Sequence, residues 1–283
     1  MKRHLTKTRI LLVGCLIAFI SIGAYLFFDA FYGDVHFRTM QDSIADSKGV
    51  DLTGLRELRA SGGNLPRFTY VSWKLRNVKG DKIMFDLKQE FHGYVNGIPS
   101  SFLGYHFEDG NVKFKQWPRR LLLTGTFEKR PELVITEAEE AKKYGFGYVN
   151  VGIGSKYLSP DKNVDEFVTY IDSIPDTTWI HFHCFQGRGR TSMALAMFDI
   201  MRNAPKVALK DIVRRQYLLG SVDLFDVKKW THSKYSKKQL EDRRNFIEDF
   251  YQFICQRKEG GTQRWSDWRR QNPISVAHPT PSP

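Results

Sequence analysis

Residues 10–28 form a nearly unbroken apolar run, after which the spacing of hydrophobic positions becomes periodic. As a helix such a run approaches one bilayer span, and it also suits the apolar core of an export signal. Further along, short β-like runs at 82–87, 148–151 and 179–183 alternate with helical patterns at 136–144, 163–174, 189–203, 209–219 and 237–256. That alternation predicts an α/β layered fold. The stretch 51–66, with Gly54, Gly62 and Gly63, predicts a helix followed by a turn, and 74–81 a connection into the first strand. Between 93 and 120, glycines and prolines mix with aromatics and neither period holds, as in a small inserted β-rich subdomain. The expected organisation is a segment 1–29, one domain over 30–273 and a Pro-rich tail over 274–283.

Lys2, Arg3, Lys7 and Arg9 precede the apolar run, so the positive-inside rule keeps them in the cytoplasm and sends the rest outward. The expected location is therefore periplasmic or extracellular. Ser21 and Gly23 are small enough for signal-peptide cleavage, yet Ala24, Leu26, Phe27 and Phe28 continue the apolar run. A cleaved signal peptide and a retained membrane anchor both stay open. Leu12-Val-Gly-Cys15 looks like a lipoprotein box, but few apolar residues come before the cysteine.

The formal charge is +12, from 43 basic and 31 acidic residues. Without the four leading cations, 39 basic residues still outnumber the 31 acidic ones, an excess that favours a polyanionic partner. No nucleic-acid-binding module is recognisable, which sets nucleic acid aside and leaves an anionic membrane surface or a phosphorylated ligand. With 41% hydrophobic and 26% charged residues the chain is neither disordered nor fibrous. Three cysteines without a Cys-x-x-Cys pair exclude a disulfide framework and give no structural zinc motif.

The chemistry concentrates in Trp179-Ile-His-Phe-His183-Cys184-Phe185-Gln186-Gly187-Arg188-Gly189-Arg190-Thr191, a strand, a Gly-containing loop and a helix start. Cysteine and arginine stand in a Cys-x5-Arg arrangement. In such a P-loop, successive backbone N–H groups and the helix N-terminus converge on one spot and make an anion nest. Cys184 sits there as a nucleophile, and the surrounding positive field favours its thiolate. Residues 185–189 would wrap the phosphoryl oxygens, with Arg190 as a two-pronged clamp that follows charge into the transition state. Thr191 can donate to the sulfur as it leaves, and His183 precedes the nucleophile. The chemistry calls for no metal and no cofactor. The alternative is a buried strand-end cysteine beside an accidental Gly-Arg-Gly-Arg turn; Cys-x5-Arg also occurs in arsenate reductases and rhodanese-like phosphatases.

Other segments add to the loop: Asp86-Leu-Lys-Gln-Glu90-Phe-His92-Gly-Tyr-Val-Asn-Gly97, His36-Phe-Arg38, Ala60-Ser-Gly62, Leu209-Lys-Asp-Ile-Val-Arg-Arg215-Gln216 and Trp265-Ser-Asp-Trp268. In this order they resemble the protein-tyrosine-phosphatase-like inositol phosphatases, the bacterial cysteine phytases. The resemblance implies a tyrosine-phosphatase-like core with an inserted β subdomain, and a phosphatase that acts on inositol polyphosphates through a phosphocysteine. It makes Cys184 the nucleophile and Arg190 the clamp, with Arg38, Asp86 and Lys88 lining the pocket. Lys88 replaces the family's usual arginine, keeping the charge but losing the fork.

The chain departs from the family at the general acid. Ser155 falls where the family has an aspartate, and a serine cannot protonate an alkoxide at neutral pH. Asp161, in Ser159-Pro-Asp161, is another candidate acid, although helix capping suits it better. Lys228, Lys229, Lys234, Lys237 and Lys238 either widen a polyanion pocket or form a solvated face, and His92 is either a structural hydrogen bonder or a ligand contact. Three functions remain in view: an atypical inositol polyphosphate phosphatase, a phosphatase for phosphoprotein or phosphoinositide, and a phospholigand-binding pseudophosphatase. Arg188, an extra loop cation, favours a multiply phosphorylated ligand.

Overall fold

The computed structural model describes residues 2–32, 36–88, 90, 92–106, 116–154, 159–229 and 235–272. The chain divides into two compact units, the first made of Met1–Asp34, Pro66–Val78 and Phe91–Gly145, the second of Val35–Leu65, Lys79–Glu90 and Phe146–Pro283. The predicted tail at 274–283 lies outside the described residues.

The first unit contains α1 (Lys2–Tyr32), α2 (Phe68–Lys74), β4 (Gly93–Val95), β5 (Ile98–Pro99), α3 (Gln116–Thr124), β6 (Ile135–Thr136) and α4 (Glu137–Lys143). By length and composition α1 is able to cross a membrane. The three strands form a small antiparallel sheet in the order β5-β4-β6. Helix α4 begins at a capping box, in which the Thr136 hydroxyl accepts from Glu139 N and the Glu139 carboxylate accepts from Thr136 N. The irregular stretch at 93–120 thus holds β4, β5 and the start of α3.

The second unit is an α/β layer structure, as the alternating pattern predicts. Its strands are β1 (Arg38–Thr39), β2 (Ala60–Gly63), β3 (Lys82–Asp86), β7 (Gly147–Asn150) and β8 (Trp179–His183). Their order is β1-β2-β8-β3-β7, with β1 antiparallel to β2 and the other neighbours parallel. The helices are α5 (Asp161–Ser173), α6 (Gly189–Asn203), α7 (Leu209–Leu218), α8 (Lys237–Lys258) and α9 (Trp265–Gln271). Strand β8 is central and every residue in it is buried, His181 and His183 included. Helix α6 is buried from Thr191 to Met201, and Phe246, Phe250 and Phe253 of α8 pack against Trp265 of α9.

One sequence expectation fails here. The stretch 51–66 forms turns and then strand β2, without a helix. Its carbonyls are taken from outside: Arg215 Nη1 donates to Asp51 O at 3.1 Å and to Thr53 O at 2.9 Å. The Asp51 side chain accepts from Thr53 N at 2.8 Å, a turn that competes with helix. Gly62 must be glycine for another reason, since a Cβ there would lie 2.7 Å from Thr191 Cγ2 of α6.

The same Arg215 forms a fully buried ion pair with Asp199. Gln216 and Asn203 also donate to that carboxylate, each at 2.9 Å, so its oxygens are satisfied without water. Replacing Arg215 with alanine would strand a buried charge and free the 51–58 turns. The expected cost is roughly 3–5 kcal/mol, read as a fall in the urea midpoint. An unchanged midpoint would contradict this arrangement.

Candidate active site

The sheet register assembles the site. Gly63 of β2 and Asp86 of β3 both pair with His183 of β8, so three neighbouring parallel strands end level. Loops leaving such C-terminal strand ends form the binding crevice of α/β sheets. Here the next residues are Asn64, Leu87 and Cys184, and the chain after Cys184 curls into α6 at Gly189.

Cys184 is buried, and Thr191 Oγ1 lies 3.2 Å from its sulfur. The same hydroxyl lies 3.2 Å from Gly63 O, so its one proton serves either acceptor. Gly187, at φ +70°, brings the loop against the chain leaving β2. A Cβ at this position would stand 2.5 Å from Asn64 N and from Gly63 C, so only glycine meets both the conformation and the contact.

Arg38 holds the loop from outside. Its Nη1 donates to Gly187 O at 2.9 Å and His36 O at 2.9 Å, its Nη2 to Ser192 Oγ at 3.1 Å, and its Nε to Ser221 Oγ at 3.0 Å. Because a trans peptide points its C=O and N–H in opposite directions, fixing the Gly187 carbonyl on Arg38 turns the Arg188 N–H the other way. The family resemblance puts Arg38 in the pocket lining; in the structure its guanidinium is buried among protein acceptors and shapes the loop.

Asp86 organises the next strand end in a similar way. Its Oδ1 accepts from Lys88 N at 2.9 Å, and its Oδ2 accepts from the Tyr148 hydroxyl at 2.9 Å and Asn150 Nδ2 at 2.7 Å. His183 Nε2 is 3.8 Å from Oδ1. Asn150 also donates to Lys88 O at 2.8 Å, fixing the turn that carries Lys88, whose ammonium lies 5.5 Å from the Phe185 ring centroid. Glu90 reaches Arg190, with Oε2 3.6 Å from Nη1.

Two titratable groups report the local field. Burial pushes the Glu90 carboxyl up, but its own backbone hydrogen bond, Arg190 and Lys88 together hold its pKa below the usual glutamate value. Burial, Arg188 and Arg38 all lower the pKa of His36. Both groups sense a concentration of positive charge around the loop.

Ser155 and Lys234 are outside the described residues. Asp161 does not cap α5: Pro160 is the N-cap, Asp161 is the first helical residue, and its Oδ1 accepts from Trp265 Nε1 at 2.7 Å. Lys228 and Lys229 are exposed, while Lys237 and Lys238 pair with Glu241 and Asp242 one turn along α8. His92, in the first unit, pairs with Glu137. Sequence reasoning missed Tyr148, Asn150, Ser192 and Ser221 as supports. Tyr148 and Asn150, two polar-tipped positions two residues apart in the 148–151 run, were the available signal for the first two.

A family model of protein-tyrosine-phosphatase-like phytases, described by the words inositol hexakisphosphate, matches residues 121–202, which include β8, the cysteine loop and α6. Uncharacterized protein AvrBs1.1 of Xanthomonas campestris pv. campestris is 32% identical over 93 residues, covering 33% of this chain and 89% of that protein. The chain belongs to the protein-tyrosine-phosphatase-like phytase family. Effector protein hopD2 of Pseudomonas syringae pv. tomato is 24% identical over 269 residues, or 82% of this chain, and the chain spans 56% of that relative's length.

Solved phytase-family structures share the fold. The myo-inositol phosphatase of Mitsuokella multacida, solved with myo-inositol-(1,3,4,5)-tetrakisphosphate, aligns with a TM-score of 0.66 at 23% identity, over 87% of this chain and 46% of that one. The phytase of Bdellovibrio bacteriovorus aligns with a TM-score of 0.59 at 22% identity, over 83% and 89%.

Two outcomes test this phytase-like loop. Gly187→Ala should lower the thermal midpoint, because a left-handed backbone alone costs a residue with a Cβ about 1–2 kcal/mol and the backbone clash adds to it. A full-strength midpoint would rule out the apex geometry. Glu90 should titrate below an ordinary glutamate, and its midpoint should rise in Arg190→Ala, as followed by carboxyl NMR. Since its folded pKa is the lower one, its stabilising contribution is present above the unfolded value and is lost as pH falls through the folded value. A midpoint indifferent to Arg190→Ala would contradict the contact.

Proposed function

We propose that this protein hydrolyses inositol polyphosphates through a phosphocysteine intermediate. The observation that carries the reading is the placement of the Cys184 sulfur, level with three strand ends, beside Thr191 and inside a loop tensioned by Arg38. In the first step the Cys184 thiolate attacks phosphorus, forming an S–P bond as the P–O bond to the inositol oxygen breaks. Backbone N–H groups of residues 185–189 and the Arg190 guanidinium hold the equatorial oxygens as their charge shifts. Water then attacks phosphorus, the S–P bond breaks, inorganic phosphate leaves, and Thr191 donates its proton hydrogen bond to the returning thiolate. His183, anchored beside Asp86, fixes the strand end from which the nucleophile projects.

Lys88, Arg188 and Arg190 supply more positive charge than one phosphoryl group needs, which supports a polyphosphorylated small molecule. So does the tetrakisphosphate bound to the Mitsuokella relative. The departing inositol oxygen must gain a proton, and Ser155 cannot give one; a neighbouring phosphate of the substrate supplies it in this reading. The apolar α1 supports export, with the helix retained as an anchor. The serine also favours a second reading, a phospholigand-binding pseudophosphatase.

Phosphate release from inositol hexakisphosphate and from an aryl phosphate, measured in parallel with Cys184→Ser as the blank, separates these readings. Cysteine-dependent release from the inositol phosphate is the expected result. Release from the aryl ester alone, or from neither, would replace the proposal with an acid-deficient or binding-only protein. Ser155→Asp should raise turnover on the inositol phosphate at least tenfold, within the roughly 10²- to 10⁴-fold contribution of a general acid.

A further inference from the structure

Helix α3 is built inside out. Gln116, Arg119 and Arg120 are its buried residues, while Trp117, Leu121 and Leu122 are exposed. Arg120 points inward, with Nε donating to Leu103 O at 2.7 Å, Nη1 to Phe127 O at 3.2 Å and Nη2 to Gly104 O at 3.3 Å; Arg119 pairs with Asp29 of α1. A helix on a water-facing surface has the opposite arrangement. The exposed Phe127 ring lies 6.4 Å from Trp117, extending the same apolar patch. Helix α2 contributes exposed Trp73, over which Lys74 and Arg76 place their cations at 5.4 and 4.8 Å.

Both helices pack against α1, and the burial pattern of α1 locates the contact. From Lys7 to Ile22 every residue is exposed; protection begins at Gly23 and recurs at Leu26, Asp29 and Ala30, one stripe at helical spacing. Residues 10–28 measure about 28 Å as a helix, matching a hydrocarbon core of about 30 Å. If that run crosses a bilayer, the stripe at 23–30 runs from the outer hydrocarbon layer to the lipid headgroups, where Asp29 and Ala30 lie. Whatever packs on the stripe is held at that depth.

We infer that the outer face of α2 and α3, through Trp73, Trp117, Leu121, Leu122 and Phe127, lies in the interfacial layer of the bilayer that α1 crosses. This rests on the reading of α1 as a retained anchor. The chemistry fits the position: tryptophans prefer the headgroup level, leucines reach the acyl boundary, and Lys74 and Arg76 extend over an aromatic face toward phosphates and water. The patch lies on and beside helices that pack directly against the membrane-crossing α1, so the occupant is the lipid of the same membrane. The first unit is thereby a foot resting on the bilayer as well as the root of an anchor.

The test uses the full chain reconstituted into phosphatidylcholine vesicles carrying a nitroxide quencher either near the headgroups or near the acyl-chain ends. The shallow quencher should dim a share of the tryptophan emission that is missing from the Trp73→Phe/Trp117→Phe double variant, and the deep quencher should dim that share far less. Trp179, Trp265 and Trp268 are buried and provide an internal baseline. Leu121→Glu with Leu122→Glu, both at exposed sites, should cut the shallow quenching at least twofold. Equal quenching of parent and double variant, with α1 resistant to alkaline extraction, would overturn the interfacial face alone. Extraction of α1, or its absence from the mature chain, would overturn the anchor and this inference together. Disulfide-linked dimers from Leu121→Cys, with Trp117 unquenched, would assign the face to a second copy and overturn it.

Discussion

The curvature of the cysteine loop depends on one bond, from the Arg38 guanidinium to the Gly187 carbonyl. An anion nest needs its N–H groups turned inward, and the simplest way to impose that is to secure the carbonyls outside. Arg38 does this from a two-residue strand at the sheet edge, while Ser192 and Ser221 fix the other side of its guanidinium. Ser192 Oγ also accepts from Val222 N at 3.0 Å, which links the first turn of α6 to the segment after α7. The loop's shape is thus set by residues distant in sequence.

Electrostatics and packing in the second unit divide the work. Lys88, Arg188 and Arg190 gather about the loop near Phe185, His36 and Glu90, whereas Asp199 and Arg215 neutralise each other in the core and meet no solvent. The first arrangement concentrates positive charge at the strand ends, as the lowered pKa values of His36 and Glu90 register. The second gives order to the 51–58 turns, from which β2 and the Gly63 carbonyl proceed to the site.

Much of this was legible in the chain. Strand β8 follows from Trp179, Ile180 and Phe182 interspersed with two histidines, helix α6 from the apolar residues after Gly-Arg-Gly-Arg, and the loop between them carries the Cys-x5-Arg spacing. What stayed hidden depends on partners distant in sequence. The 51–66 stretch carries helical periodicity, yet Arg215 claims its carbonyls from across the core. Asp161 precedes the helical pattern at 163–174, as a cap would, but it is the first residue of α5 and the indole of Trp265 engages its carboxylate. Helix α3 hid because its polar and apolar faces are exchanged, so a search for a water-facing amphipathic pattern passes over it.

The glycine at position 62 and the threonine at 191 form one device on two elements. The threonine methyl occupies the space a side chain on β2 would fill, so the vacancy on the strand orients the hydroxyl on the helix. A β-branched residue has few χ1 states, and this fit restricts them further. A serine at 191 would release the rotor and still leave Leu195 Cδ1 only 2.8 Å from a Cβ at 62, so the glycine answers to both side chains of α6. The hydroxyl beside the Cys184 sulfur is aimed by an atom that position 62 lacks.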